Sequence, residues 1–143
     1  MFEKYNPNLD IDEVIKTVKK QQGLTRKTQV MSYLTHHIPL EKKFQADVIK
    51  GIRKAFPTAY VVKISLAHYS TAGIPDVMAI VDGHYFGFEI KRPVLSKIDP
   101  DGHGATKLQL ETMKQINNAG GTCNVVCYPE EAVEVIKKWM ETR

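Results

Sequence analysis

Asp82-Gly83 stands between two runs of strand-forming residues in VMAIVDGHYFGFEIK, residues 77 to 91. Asp-Gly suits the positive φ angles of a two-residue type I′ turn, so the dipeptide sets both a hairpin and its register. Val81 then pairs with His84, and counting outward places Asp76 directly opposite Glu89. Directly opposed side chains share a face with Cβ atoms about 4.5 to 5.5 Å apart, and Lys91, two residues beyond Glu89, points to that face too. The residues between, Val77 to Val81 with Phe86, Phe88 and Ile90 opposite, leave little polar character on either side, so both faces of the hairpin are expected to be covered. Two carboxylates and an ammonium therefore meet at one end of an apolar ribbon. Like charges in a partly dry site repel unless one takes a proton or a cation sits between them. A hard divalent cation such as Mg²⁺ accepts one or two carboxylates and keeps waters for a substrate phosphate.

The rest of the chain frames this hairpin with helices. Asp10 precedes IDEVIKTVKK, in which Ile11, Val14, Ile15 and Val18 recur at helical spacing, and Gly23 supplies a stop. Thr25 is placed to cap a second helix to about His36, with Val30, Met31 and Leu34 inward and Pro39 closing the segment. LEKKFQADVIKGIRKAF reads as a third helix ended by Pro57, and AYVVKISLA as a strand rich in β-branched residues. After the hairpin come a Gly/Pro/Asp loop over 93 to 105, a helix from about 106 to 119 ended by Gly120-Gly121, the strand TCNVVCY and a last helix from Pro129. The order α-α-α-β-β-β-α-β-α predicts a mixed sheet of about four strands with helices on its faces.

Two further polar residues are aimed at the sheet. Glu41 lies in the middle of the stripe formed by Phe44, Val48 and Ile52, and Gln109 shares its stripe with Met113 and Ile116. Taken singly, each has an ordinary explanation, a first-turn acid favoured by the helix dipole and an amphipathic edge position.

Other motifs fail on inspection. Asp99-Pro100-Asp101-Gly102-His103-Gly104 has the Gly of a calcium loop, but Leu110 stands where a bidentate Glu is required. His36, His37, His68, His84 and His103 show no metal-ligand spacing. Cys123 and Cys127, four apart in an expected strand, are separated by about 13 Å, roughly twice the reach of a disulfide, and read as reduced thiols. The first helix pair reads as packing or dimerisation rather than as a helix-turn-helix DNA reader.

Glu41, then Gly73-Ile74-Pro75-Asp76, then Glu89-Ile90-Lys91, then Gln109 resembles the PD-(D/E)XK nuclease pattern, most closely its VRR-NUC branch and the small phage-type nucleases similar to it. The resemblance covers roughly residues 40 to 137 and leaves 1 to 39 unmatched, so the expected division is a helical extension (1–39) followed by a nuclease domain (40–143). It implies a restriction-endonuclease-like α/β core of αβββαβα order. It further implies that Glu41, Asp76 and Glu89 surround a divalent metal, Mg²⁺ or Mn²⁺, that Lys91 serves the attacking water and that Gln109 completes the site.

The implied chemistry suits these residue types, since a carboxylate-held divalent cation activates water and offsets phosphorane charge near neutral pH. Pro75 suits a strand entrance because it lacks an N–H, and Gly73 permits a close backbone approach that a phosphate would exploit. Lys42, Lys43, Arg53 and Lys63 are candidates for sequence-independent phosphate contacts. The net charge of +4 is mild and permits a nucleic-acid partner without demanding one. Runs such as Lys16, Lys19, Lys20, Arg26 and Lys27 read on charge alone as a solvated helix face.

The expected activity is metal-dependent hydrolysis of phosphodiesters, as a DNA endonuclease acting on a flap or junction. The alternative is a non-catalytic nucleic-acid-binding module that keeps the fold. An intact acidic set with its lysine argues for the enzyme. The 143 residues carry no G-x-x-x-x-G-K loop, so a helicase or ATPase is expected as a separate partner. A homodimer joined through residues 10 to 36 is expected, because one small domain holds one site and a duplex has two strands. No apolar run nears the roughly 18 to 20 residues needed to cross a bilayer, and MFEKYNPNLDIDE shows no apolar h-region of a secretory signal, so the expected setting is the cytoplasm of a bacterial or phage-infected cell.

Overall fold

A computed structural model describes residues 1–64 and 73–143. His68 and the part of the expected strand AYVVKISLA beyond Ile64 lie outside the described residues. Three helices come first: α1 (Ile11–Gln22), α2 (Lys27–His37) and α3 (Glu41–Ala55). They lead into β1 (Tyr60–Lys63), β2 (Val77–Val81) and β3 (His84–Ile90). Then follow α4 (Leu95–Ile98), α5 (Pro100–His103), α6 (Lys107–Asn118), β4 (Thr122–Val126) and α7 (Pro129–Thr142).

The Asp-Gly turn forms as its chemistry dictates, with φ of 49° at Asp82 and 79° at Gly83. Val81 pairs with His84 and Val77 with Phe88, which is the register counted from the turn. β1 lies antiparallel to β2, β2 antiparallel to β3, and β3 parallel to β4, so the sheet is mixed and its spatial order is β1-β2-β3-β4. The β3-α6-β4 crossover supplies the parallel pair. This is the expected mixed α/β architecture.

α3 and α7 cover one face, where Phe44, Val48, Ile52, Val61, Ala79, Phe86, Phe88, Ala132 and Ile136 are buried. Val14, Val18, Val30 and Leu34 of the first two helices join that same core. α1 is closed at both ends: Asp10 Oδ1 accepts from the Asp12 N–H at 2.9 Å, and Gly23 takes the left-handed conformation at φ 65°. Among the described residues, no helix is long and apolar enough to cross a membrane.

Three local expectations need correction. Thr25 does not cap α2; Arg26 holds that position, and the Gln29 side-chain Oε1 accepts from the N–H groups of Thr25 and Arg26, each at 3.0 Å. A Gln in the first turn reaching back to these amides does the work expected of the hydroxyl. The segment 93–105 is not a bare loop but carries α4 and α5, because Leu95 and Ile98 bury one helical turn and Asp99 caps the next by accepting from Gly102 N–H at 3.2 Å. The hairpin is covered on both faces along β3 but not along β2. α6 packs on β4, on the side away from α3 and α7, and Tyr60 on β1 and Ile80 on β2 stay 59% and 39% exposed.

Candidate active site

The second face of the sheet carries the charges. Beyond the Val77–Phe88 pair, Asp76 closes the hairpin with its backbone and its side chain: its C=O accepts from Ile64 N–H at 2.7 Å and its Oδ2 from Ile90 N–H at 3.0 Å. The carboxylate thereby takes up a ladder donor just past the last strand pair, which fixes it at the sheet end. Pro75 reaches this position across Gly87, where a Cβ would come within 2.9 Å of Pro75 Cγ. Gly73, at φ 86°, packs so closely on α6 that a Cβ would lie 2.7 Å from Thr112 Oγ1 and 3.0 Å from Leu108 O. The close approach that Gly73 permits is to this helix.

Glu41 enters from the first turn of α3. One ligand oxygen each from Glu41, Asp76 and Glu89 lie within 4.8 Å of one another. Glu89 is 1% exposed; its Oε1 accepts from Gln109 Nε2 at 2.9 Å and faces Lys91 Nζ at 3.6 Å. Its Oε2 is buried and has no hydrogen-bond partner. Burial first, then the neighbouring carboxylate of Asp76, push the Glu89 carboxyl up to about 8, against the pull of Lys91. Burial also raises Glu41, where Lys91 and Arg92 pull down and Asp76 pushes up. Gln109 is held by the N-terminus of α6: its Oε1 accepts from Thr106 N–H at 2.9 Å while its own N–H donates to Thr106 Oγ1 at 3.2 Å. This capping box presents the amide N–H₂ to Glu89.

The donor set fits a hard divalent cation. Three carboxylates from separate parts of the chain offer oxygens only, Glu89 Oε2 is dry and unpartnered, and burial together with mutual repulsion raises Glu41 and Glu89. A cation among them would relieve that repulsion and take up the free lone pairs of Glu89.

The proposed phosphate contacts are dispersed. Lys42 and Lys63 are exposed; Lys43 pairs with Asp47 on its own helix, and Arg53 donates to Val61 O at 2.7 Å, tying α3 to β1. His36 and His37 bond to carbonyls one turn back in α2, and His84 Nε2 lies 2.8 Å from Thr122 Oγ1. Both cysteines are free, and burial pushes each thiol up to about 11. Two residues were missed from sequence. Thr106 orients Gln109, and Arg92, 8% exposed, donates to three carbonyls of the α2–α3 junction. The available signal for Arg92 was a charge inside the buried run FGFEIKRPVL.

No family model matches the chain, and no curated protein is similar to it in sequence. Among solved structures, a chain described as "VRR_NUC domain" aligns over 66% of this chain and 95% of its own length, at 21% identity and a TM-score of 0.48.

Proposed function

We propose that the protein is a divalent-metal-dependent nuclease that hydrolyses phosphodiester bonds in DNA as an endonuclease, with flaps or junctions as its substrates. The observation that carries this reading is the approach of Glu41, Asp76 and Glu89 to within 4.8 Å beside a nearly buried lysine. Mg²⁺ or Mn²⁺ bound by these carboxylates would supply Lewis acidity toward water and a counter-charge for the phosphorane. Asp76 and Glu89 would hold the cation from the end of the sheet, and Glu41 would close the set from α3. Lys91 stands where its ammonium can orient a water against phosphorus or offset charge on the phosphorane. Gln109 fixes the Glu89 carboxylate through one oxygen and leaves the other for the cation. In the reaction an O–P bond forms from water, which gives up a proton, the P–O bond to the leaving nucleoside oxygen breaks, and that oxygen takes up a proton in turn.

A duplex offers one site two strands, so a homodimer and a separate helicase or ATPase belong to the same proposal, as does a cytoplasmic setting. The test is a cleavage panel of single-stranded, duplex, flapped and four-way-junction DNA. Cutting of at least one substrate with Mn²⁺ or Mg²⁺, none in EDTA, and a loss of about 100-fold or more in Lys91→Met are expected. Binding of these DNAs with no cleavage under any cation would make the chain a nucleic-acid-binding module.

A further inference from the structure

Glu41 is the one member of the carboxylate set that the sheet does not carry, so something else must bring it into place. The step before α3 is short: α2 ends at His37, Ile38 caps it, and Pro39 and Leu40 lead directly to Glu41. The carbonyls at the end of a helix have no partner within it, and Pro39 adds another without contributing an N–H. In this protein one buried side chain takes three of these carbonyls. Arg92 Nη2 donates to Thr35 O at 2.8 Å and to Ile38 O, and Nε donates to Pro39 O at 3.1 Å. A planar guanidinium presents several N–H groups in a fixed fork, so three carbonyls held by it cannot shift independently.

The other end of the clamp is equally fixed. Arg92 follows Lys91, whose N–H still bonds Val126 O of β4 at 3.0 Å. Beyond it, Val94 is buried at φ 67° and ψ −57°, with Leu95 N–H donating to Pro93 O at 2.7 Å. This is a γ-turn at a β-branched residue, a strained conformation that persists only where packing holds it. It turns the chain sharply out of the sheet just after Arg92. The sheet end that carries Glu89 and Lys91 is thus bolted to the residues immediately preceding Glu41.

Building on the nuclease reading, we propose that Arg92 is a positioning residue that sets Glu41 against Asp76 and Glu89, and that α2 is thereby a working part of the site. Arg92 does not face substrate; it acts through the backbone of 38 and 39.

The test is Mn²⁺ titration calorimetry on the full chain. Wild type, Arg92→Lys, Glu41→Gln, the double variant and Asp76→Asn are compared, each first shown to melt cooperatively. Arg92→Lys keeps the charge but not the fork and is expected to weaken Mn²⁺ about 10-fold, the scale of losses when a supporting residue of a metal ligand is changed. In the Glu41→Gln background it should add nothing, because there is no ligand left to position. A purely structural arginine would weaken binding by the same factor in both backgrounds or in neither, and either result overturns the proposal. Should Arg92→Lys not fold, a glycine inserted between Pro39 and Leu40 leaves Arg92 and its acceptors in place while freeing Glu41. It should weaken Mn²⁺ comparably, and unchanged binding would overturn the clamp. Wild type that takes no Mn²⁺ removes the nuclease reading and this inference together. Wild type that binds Mn²⁺ and loses it in Asp76→Asn, with Arg92→Lys unaffected, removes this inference alone.

Discussion

Glu89 shows how one side chain can be costly to the fold and useful to the site. Its carboxyl, about 8 when folded against 4.5 in a free chain, holds a proton in the folded protein at pH values where the unfolded chain has released it. Between those limits the folded state binds more protons than the unfolded one, so stability of the cation-free protein falls as pH rises from about 5 to about 8. Urea midpoints in EDTA should therefore drop over this range and drop less in Glu89→Gln; equal slopes would show that Glu89 does not titrate there. Above about pH 8, where Glu89 is ionised, Asp76→Asn relieves a cross-strand repulsion worth about 0.2 to 1 kcal/mol and should melt slightly above wild type in EDTA. With Mn²⁺ at 100 times its Kd the order should reverse, since wild type gains about 2.7 kcal/mol that the variant largely forgoes. Both residues were legible in the sequence because an Asp-Gly turn sets a register that can be counted. Arg92 was not, because no periodicity tells which distant carbonyls a long buried side chain will reach.

At the scale of elements, helical stripes and the hairpin could be read, while the connections could not. α3 and α6 aim Glu41 and Gln109 inward because Phe44, Val48 and Ile52, and Met113 and Ile116, set the faces of those helices. The segment 93–105 misled because its Gly, Pro and Asp residues signal turns, yet Leu95 and Ile98 bury the first of two short helical pieces there, and Asp99 and Pro100 cap and start the second. The one-sided covering of β2 could not be read either, since apolar residues on both faces of a strand do not say which face a helix reaches. Gly73 joins two elements: it brings the chain entering Asp76 onto α6 at a φ of 86° that a side chain rarely adopts. Gly73→Ala should cost about 1 to 3 kcal/mol from that φ alone. The clash with backbone at Leu108 O means that trimming Thr112 should not restore it, and a urea midpoint unchanged from wild type would contradict the packing described.

Taken whole, the molecule spends its first two helices on the same core as the sheet. Val14, Val18, Val30 and Leu34 pack into the cluster that holds Phe44 and Ile52, and Arg92 draws three of its acceptors from residues before α3. The motif resemblance begins near residue 40, but packing runs on across that point. A chain lacking residues 1–39 is expected to lose cooperative melting, and a truncated protein that melts within a few degrees of wild type would show the helices to be dispensable. The apolar side of α1 and α2 is buried within the chain, so a two-fold contact through residues 10–36 would fall to their exposed polar faces. Light scattering that gives a monomer mass at micromolar concentration, with and without DNA, would remove the homodimer from the proposed function.

The carboxylate cluster itself can be interrogated by diffraction at the manganese edge, using crystals grown or soaked in millimolar Mn²⁺. We expect an anomalous peak ligated by one oxygen each of Glu41, Asp76 and Glu89, with Lys91 alongside, and no peak there in Asp76→Asn. A wild-type crystal whose manganese lies elsewhere, or nowhere, while these three carboxylates keep their positions, would contradict the account of the site.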